Sequence, residues 1–504
     1  MTTQISDSSG RYFITPAQIL ERFLLTGSTA ATYKANDKFG DFPADVMLAV
    51  KTIMERFPKE SFKVLSEVVY LNKAPRKPPV LLALAAALNV EETRKDAQGL
   101  SLACIHTGTD QFLLTKFMLD LGRGKGRSFK RNVNFLYSSL DCDEKGDYFR
   151  DKLALQMIKY RNRAGWTHRD LLRVGHYKPS ERNNDLFAWV TGKGPATHPL
   201  LASYEQASRV KTPEEAVRVL RSNSGLPWEA LPSEVLANKE VWEELLPRLR
   251  GPGLIRNLAR MSSYGVSLEG KPLEWIQASC MANHPVAALS AWRTYSQGKG
   301  DKGSLTWNPD PRVVSALEAG FYASFGLLKK SESKVFFGLD ISSSMVQNQS
   351  TVAGLNCREV AAAMAMVAMK QQPYMVFGFS HRLIELDIKD DWTLSQVMHY
   401  MGNIPFGSTD CSLPMRFCTE NSVPDVDLFA IYTDNETNQR GNKPSYYLTQ
   451  YRSRFNPNAK LATVAIQGGA FSIADPNDPG QMDFVGFDPT VPAIMVSLAE
   501  QKLV

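Results

Sequence analysis

The chain has 504 residues, 43% hydrophobic and 22% charged, with a net charge of +6. That length exceeds one ordinary core and predicts two or more domains in a soluble globular protein. The longest apolar runs, around "VLLALAAALNV" and "VAAAMAMVAM", are too short to span a bilayer. "MTTQISDSSG" lacks the basic and apolar stretches of a secretory signal, so a cytoplasmic protein with no membrane partner is expected. Six cysteines (104, 142, 280, 357, 411 and 418) without a CxxC pair predict free thiols in a reducing compartment rather than disulfides or zinc ligands.

Residues 14–330 read almost entirely as helices. Apolar residues recur at three and four in "DVMLAVKTIMERF", "SFKVLSEVVYLN", "DQFLLTKFMLDLG" and "DKLALQMIKYRNR". The breaks are short and carry Gly, Pro, Ser or Asn. Successive helix pairs over this length predict an α-solenoid for residues 1–330 rather than one bundle.

The charge is unevenly spread. Residues 331–504 hold 12 Lys+Arg against 18 Asp+Glu, whereas 121–178 alone hold 14 against 6. The excess suggests a polyanion partner for the first part of the chain, the alternative being a solvated basic face. "LGRGKGRSFKRNVNFLYSS" (121–139) places Arg127 at the end of a glycine-broken loop, with Lys130 and Arg131 at the start of a helix. It is no Walker loop, but flexible cations and exposed amides can grip phosphate; the alternative is an ordinary basic turn. In "DKLALQMIKYRNRAGWTHRDLLRVGHYKPS" (151–180), Lys152, Gln156, Lys159 and Arg163 step by four, three and four, which predicts one helix face. After a break at Gly165–Trp166, Thr167 and Asp170 form a capping box. Arg169, Arg173 and His176 then step by four and three. Two neighbouring basic stripes suit phosphates, with Trp166 and Tyr177 expected to serve as packing anchors rather than base-stacking rings.

From about residue 331 the pattern changes. "KVFFGLD", "YMVFGFS", "DLFAIYTD" and "AKLATVAI" are apolar runs ending in turns, separated by the helical stretches "REVAAAMAMVAMKQ", "LSQVMHYM", "SLPMRFCTE" and "PSYYLTQYRSRF". This alternation predicts a doubly wound α/β domain over 331–504 with ligands at the carboxyl ends of its strands. Asp340 stands at such an end, followed by Ser342 and Ser344 in a D-x-S-x-S pattern. Thr409 lies before a helix, and Asp434 closes another strand. Two carboxylates and three hydroxyls are hard oxygen donors suited to Mg²⁺. The alternative is local capping, with Asp340 bonding loop amides. This set resembles the metal-ion-dependent adhesion site of von Willebrand factor A domains.

The same residues argue against catalysis. An aspartyl phosphatase needs a second acid two residues after its nucleophile, and that position is Ser342. No G-x-S-x-G elbow is present, and two carboxylates are too few for a two-metal nuclease.

"RAGWTHRDLLRVGHYKPS" resembles the signature of the Ro autoantigen family, whose RNA-binding module is called TROVE. So do "LPWEALPSEVLANKEVWEELLPRL" with "LIRNLARM", "FGSTDCSLPM", "IYTDNET" and "IADPNDPGQMDFVGFD". The resemblance implies a closed ring of HEAT-like helical repeats followed by a von Willebrand A domain. It implies Y RNA-like small RNAs on the outer surface, single-stranded 3′ ends of misfolded RNA in the hole, and association with an exoribonuclease in RNA quality control. It implies no catalytic activity. Lys159, Arg163 and His176 match the family's Y RNA contacts, and Arg127, Lys130 and Arg131 a segment near its RNA-binding face. Asp340, Ser342, Ser344, Thr409 and Asp434 match its adhesion site, with Ser408 where the family carries Gly. A ring closed within one chain suits a monomer. The competing expectation is a metal-dependent protein-binding module on a helical platform.

Overall fold

The computed structural model describes residues 14–500 apart from 36–39, 142–145, 301–303, 329–331, 353, 372–374, 390, 406, 408, 435–442 and 469–472. Contacts divide the chain into two compact units that are not consecutive halves. One comprises Met1–Lys38, Arg250–Ser263 and Leu268–Val504, the other Phe39–Leu249 with Tyr264–Ser267.

The second unit is helical. Its first helices are Ala44–Arg56, Pro58–Tyr70, Lys77–Asn89, Glu91–Cys104 and Gly108–Asp120. Lys77–Asn89 is apolar around its circumference, and Val80 to Leu88 are all buried, because neighbouring helices cover it on several sides. One segment departs from the helical pattern. β2 (Asn162–Arg163) and β3 (Trp166–Thr167) form a short antiparallel hairpin.

In the first unit, β1 (Thr32–Lys34), β4 (Val335–Asp340), β5 (Met375–Phe379), β6 (Leu383–Glu385), β7 (Leu428–Thr433), β8 (Lys460–Ala465) and β9 (Gln481–Val485) make one seven-stranded sheet. The order is β1-β9-β8-β7-β4-β5-β6, parallel except for β6 against β5. β7 and β8 are buried at every position, as expected of strands covered on both faces. Phe336 stacks on Phe377 at 5.0 Å, in an apolar layer with Phe429, Leu461 and Met415. The helices expected between strands are present as Cys357–Gln371, Leu394–Gly402, Leu413–Glu420 and Pro444–Arg454.

Besides the hairpin, three strands of this sheet are not marked by an apolar run in the sequence: β1, β6 and β9. β1 and β6 have three residues each, too few to show alternation. β9 is fully buried at four of its five positions, so its polar Gln481 and Asp483 interrupt any apolar run. Helices Lys271–Met281, Pro285–Ser296 and Pro311–Ser324 belong to the same compact unit as the sheet. Arg293 of the second pairs with Glu359 of Cys357–Gln371 at 2.8 Å. Cys104, Cys280, Cys357, Cys411 and Cys418 are free and buried; Cys142 lies outside the described residues.

Candidate functional site

The helix Gly146–Lys159 ends where its sequence periodicity suggested it would continue. Ala164 (φ 54°) and Gly165 (φ 76°) both occupy the left-handed region and form the two-residue turn of the β2–β3 hairpin. A two-residue turn with both φ positive matches the right-handed twist of its strands. Arg163 therefore stands on a strand opposite Trp166, not on the helix face of Lys159. Gln156 is also off the supposed stripe. It is buried and accepts a hydrogen bond from the Gly108 amide at 2.8 Å. The signal available in the sequence was Ala-Gly followed by aromatic and β-branched Trp-Thr.

β3 runs into the helix His168–Gly175 through the expected capping box. The Thr167 side chain accepts from the Asp170 amide at 3.2 Å, and Asp170 accepts from the Thr167 amide at 3.0 Å. Arg169 and Arg173 lie on this helix and are exposed. His176 is exposed too, but it is the C-cap with φ 50°, so the helical step from Arg173 is broken there. Helix Arg127–Val133, carrying Arg127, Lys130 and Arg131, packs against His168–Gly175. The Asn134 amide just beyond it donates to the Gly175 carbonyl at 2.8 Å. Arg131 reaches Gln98 at 3.3 Å. Tyr177 is a packing anchor: its ring lies 5.1 Å from Phe187, and its hydroxyl donates to Asp141 at 2.9 Å.

Between the end of Gly146–Lys159, the hairpin and the start of His168–Gly175 lies a cleft of about 620 Å³. Lys159, Arg161, Asn162, Arg163 and Arg169 line it. Arg161 and Asn162 were not singled out by helical spacing, because that spacing assumed a helix through them. Among the described residues, none of the four cations forms an ion pair with a carboxylate. By contrast, nearby Arg150 is paired with Asp185 at 2.6 Å, and Arg182 is paired with Asp147. Arg173 and His176 do not line the cleft.

The cleft's floor includes His168, buried under Phe112 and Tyr137. Its Nε2 lies 3.1 Å from the Gln156 carbonyl, which can only accept, so Nε2 carries the proton and Nδ1 accepts from the Tyr137 hydroxyl at 2.8 Å. Burial holds the imidazole down at about 4. The unfolded chain binds a proton near the ordinary value of 6.5 and the folded chain does not, so stability falls as pH drops from about 6.5 to about 4. The expected loss is roughly 3 kcal/mol. Urea unfolding across this range checks it, and the part due to His168 disappears in a His168→Gln variant.

The second candidate site lies in the sheet unit. β5 and β6 lie on one side of β4, and β7 to β9 on the other, so the chain reverses direction between β4 and β7. Asp340 ends β4 and Asp434 follows β7, the position where open α/β sheets form a ligand crevice. Asp340 is fully buried. It accepts from the Ser342 amide at 2.8 Å and from the Thr433 hydroxyl at 2.9 Å. The hydroxyls of Ser342 and Ser344 are 3.0 Å apart, and neither caps the helix Ser344–Gln347. Asp434 is buried and accepts from Asn348 at 3.0 Å. Thr409 is buried in the segment whose next residue, Asp410, donates its amide to the Ser380 carbonyl just after β5. Ser408 lies outside the described residues. Burial pushes the Asp340 carboxyl up to about 6, and the nearby Asp434 charge adds to the rise.

Comparison with known proteins gives matches to two family models, one of which, over 198–277, runs across both compact units. The family model for the Ro60 vWA domain matches residues 334–499, and the TROVE domain model matches 198–277. The chain is 32% identical over 525 residues to RNA-binding protein RO60 of Deinococcus radiodurans, covering 99% of this chain and 96% of that protein. It is 28% identical over 597 residues to RNA-binding protein RO60 of Caenorhabditis elegans, covering 99% and 90%. The crystal structure of the Deinococcus radiodurans RO (RSR) protein superposes with a TM-score of 0.85 at 31% identity, over 96% of this chain and 99% of that one. With similarity running nearly end to end in sequence and in structure, the chain belongs to the Ro60 family.

Proposed function

We propose that this protein is a non-catalytic RNA-binding protein that takes small structured RNA, of the Y RNA kind, at the cationic cleft. In this reading it also engages single-stranded 3′ ends of misfolded RNA and acts in cytoplasmic RNA quality control as a monomer, with an exoribonuclease among its partners. The observation that carries it is the gathering of Lys159, Arg161, Arg163 and Arg169 around one cleft without carboxylate partners among the described residues. Arg173, His176, Arg127, Lys130 and Arg131 extend the positive surface over the two adjoining helices. The names of the two relatives point the same way.

The test is a gel shift with a small hairpin RNA across salt concentrations. Cations that neutralise phosphates release counterions, so log affinity falls with log salt by about 0.7 to 0.9 per phosphate. Four engaged cations give a slope of about −3 to −4, and a flat response removes the reading.

A second reading concerns the sheet unit and coexists with the first. Asp340, Ser342, Ser344, Thr409 and Asp434 would hold a divalent cation, Mg²⁺ by the hardness of an all-oxygen donor set. A buried carboxyl raised by its surroundings fits this, since a cation would stabilise its charged form. When bound, the ion offers a coordination position to a partner's carboxylate. In an Asp340→Ala variant, capture of such a partner is lost while hairpin RNA affinity persists.

A further inference from the structure

The charges around the candidate metal site of the sheet unit do not balance, and one residue accounts for the difference. Arg358 lies in the first turn of the helix Cys357–Gln371. Its guanidinium donates to the Ser342 carbonyl at 3.2 Å, so the side chain reaches the same loop as the candidate ligands. Gly402, at the end of the helix Leu394–Gly402, leaves it room: a methyl group there would lie 3.0 Å from the guanidinium. The Arg358 Nε is buried with no acceptor among the described residues. No carboxylate among those residues forms an ion pair with it, whereas the charges next along the chain are matched, Glu359 with Arg293 at 2.8 Å and Asp410 with Arg416 at 3.5 Å. Asp340 is still close enough to act on Arg358. Burial lowers the guanidinium from its ordinary value, and the Asp340 charge opposes that fall. Burial likewise raises the Cys357 thiol, and Asp434 and Asp340 add to the rise, so both carboxylates lie near the start of this helix.

Two ionised carboxylates and one divalent cation cancel. Arg358 is then left over, and the loaded site carries a net positive charge in partly buried surroundings, where an unmatched charge is costly. A monoanion removes that excess; a neutral or cationic group does not. We propose that Arg358 sets the preference of this site: its guanidinium weakens the hold on the metal alone and favours a partner's carboxylate once the metal is bound. Metal and carboxylate are thereby linked, because a carboxylate that cancels the excess charge tightens the metal by the same factor as the metal tightens the carboxylate. This rests on the metal-binding reading of Asp340, Ser342, Ser344, Thr409 and Asp434 and adds the charge that selects the partner. Arg358 acts through its field and through the Ser342 carbonyl, which makes it a positioning residue rather than a ligand.

The experiment uses the full chain with Mn²⁺, which takes the same oxygen ligands as Mg²⁺ and is visible by magnetic resonance. It is run at about pH 8, above the value of about 6 to which Asp340 is raised. Paramagnetic resonance of the free ion gives the Mn²⁺ affinity. The fall in water-proton relaxation as acetate is added reports a carboxylate reaching the bound ion. Arg358→Met is expected to bind Mn²⁺ about tenfold more tightly and to need about tenfold more acetate, the scale of one unit charge across a partly buried site. Arg358→Lys keeps the charge and stays close to the unaltered protein in both measurements. A loop merely disturbed by the substitution would weaken both, so the opposite signs separate charge from structure. Unchanged or weaker Mn²⁺ binding in Arg358→Met, an unchanged acetate response, or Arg358→Lys behaving as Arg358→Met does, overturns the role of Arg358 and leaves the metal site standing. Absence of Mn²⁺ binding by the unaltered protein, or equal binding by Asp340→Ala, overturns both.

Discussion

Replacing Lys159, Arg161, Arg163 and Arg169 together with alanine is expected to lower affinity for small hairpin RNA by about 4 kcal/mol, taking about 1 kcal/mol per charge-assisted contact. That is roughly a thousandfold in Kd. All four are side chains on the rim of one cleft and none is paired to a carboxylate among the described residues, so the fold loses little with them. Unfolding by urea should therefore change by under about 1 kcal/mol, as surface substitutions do. The salt slope should flatten with the affinity, because the lost contacts are the ones that release counterions. A variant that binds hairpin RNA as tightly as the unaltered protein at every salt concentration moves the interface elsewhere on the chain. Replacing Arg173 and His176 instead, outside the cleft, is expected to cost less, since they contribute only to the surrounding field.

Replacing Asp478 with alanine destabilises the sheet unit by about 3–5 kcal/mol, the cost of leaving a buried charge without its partner. Asp478 and Arg452 are each about 1% exposed and form a two-pronged ion pair, the longer arm at 3.2 Å. The carboxylate also accepts from the Gly480 amide at 2.9 Å and from Gln481 at 2.8 Å, which shapes the entry to β9. Its own carbonyl accepts from Arg22 at 2.8 Å, and the Pro476 carbonyl accepts from the same guanidinium at 3.1 Å. Arg22 belongs to the helix Pro16–Thr26, so this loop also anchors the segment that supplies β1. Thermal or urea unfolding reads the loss. Removing both partners, as Asp478→Leu with Arg452→Met, is expected to recover part of it: an apolar pair leaves no charge to desolvate, while the Gly480 amide, the Gln481 side chain and the Ala459 carbonyl each still lose a hydrogen bond. Equal destabilisation in the single and double variants would trace the effect to packing rather than to the orphaned guanidinium.

The segment "IADPNDPGQMDFVGFD" shows how sequence and structure divide this information. It is recognisable as a family resemblance, yet nothing local explains its residues. In the structure Asp483 accepts the amides of Ile473 and Ala474, Asp478 neutralises Arg452, and β9 takes up β1 from about 450 residues earlier in the chain. The candidate metal residues were more legible. Asp340 and Asp434 each follow an apolar strand, and strand ends are local features. β4 and β7 lie side by side and parallel, which brings the two strand ends together; the alternating pattern implies parallel strands but not which of them are neighbours.

The basic cleft was half legible. Charge density marked the segment and helical spacing selected Lys159, Arg163 and Arg169. The same spacing gave the wrong geometry for Gln156, Arg163 and His176, and passed over Arg161 and Asn162. By itself the sequence determined the helical first part, the alternating second part, the capping box at Thr167 and the order of the oxygen donors, because periodicity, capping and strand ends depend on neighbours within a few residues. Only the tertiary structure decided where the helix stops before the Ala164–Gly165 turn, which cations share a cleft, and that an N-terminal strand completes a C-terminal sheet. Those outcomes turn on backbone torsions and pairings between distant segments, whose free energy no short stretch of chain carries alone.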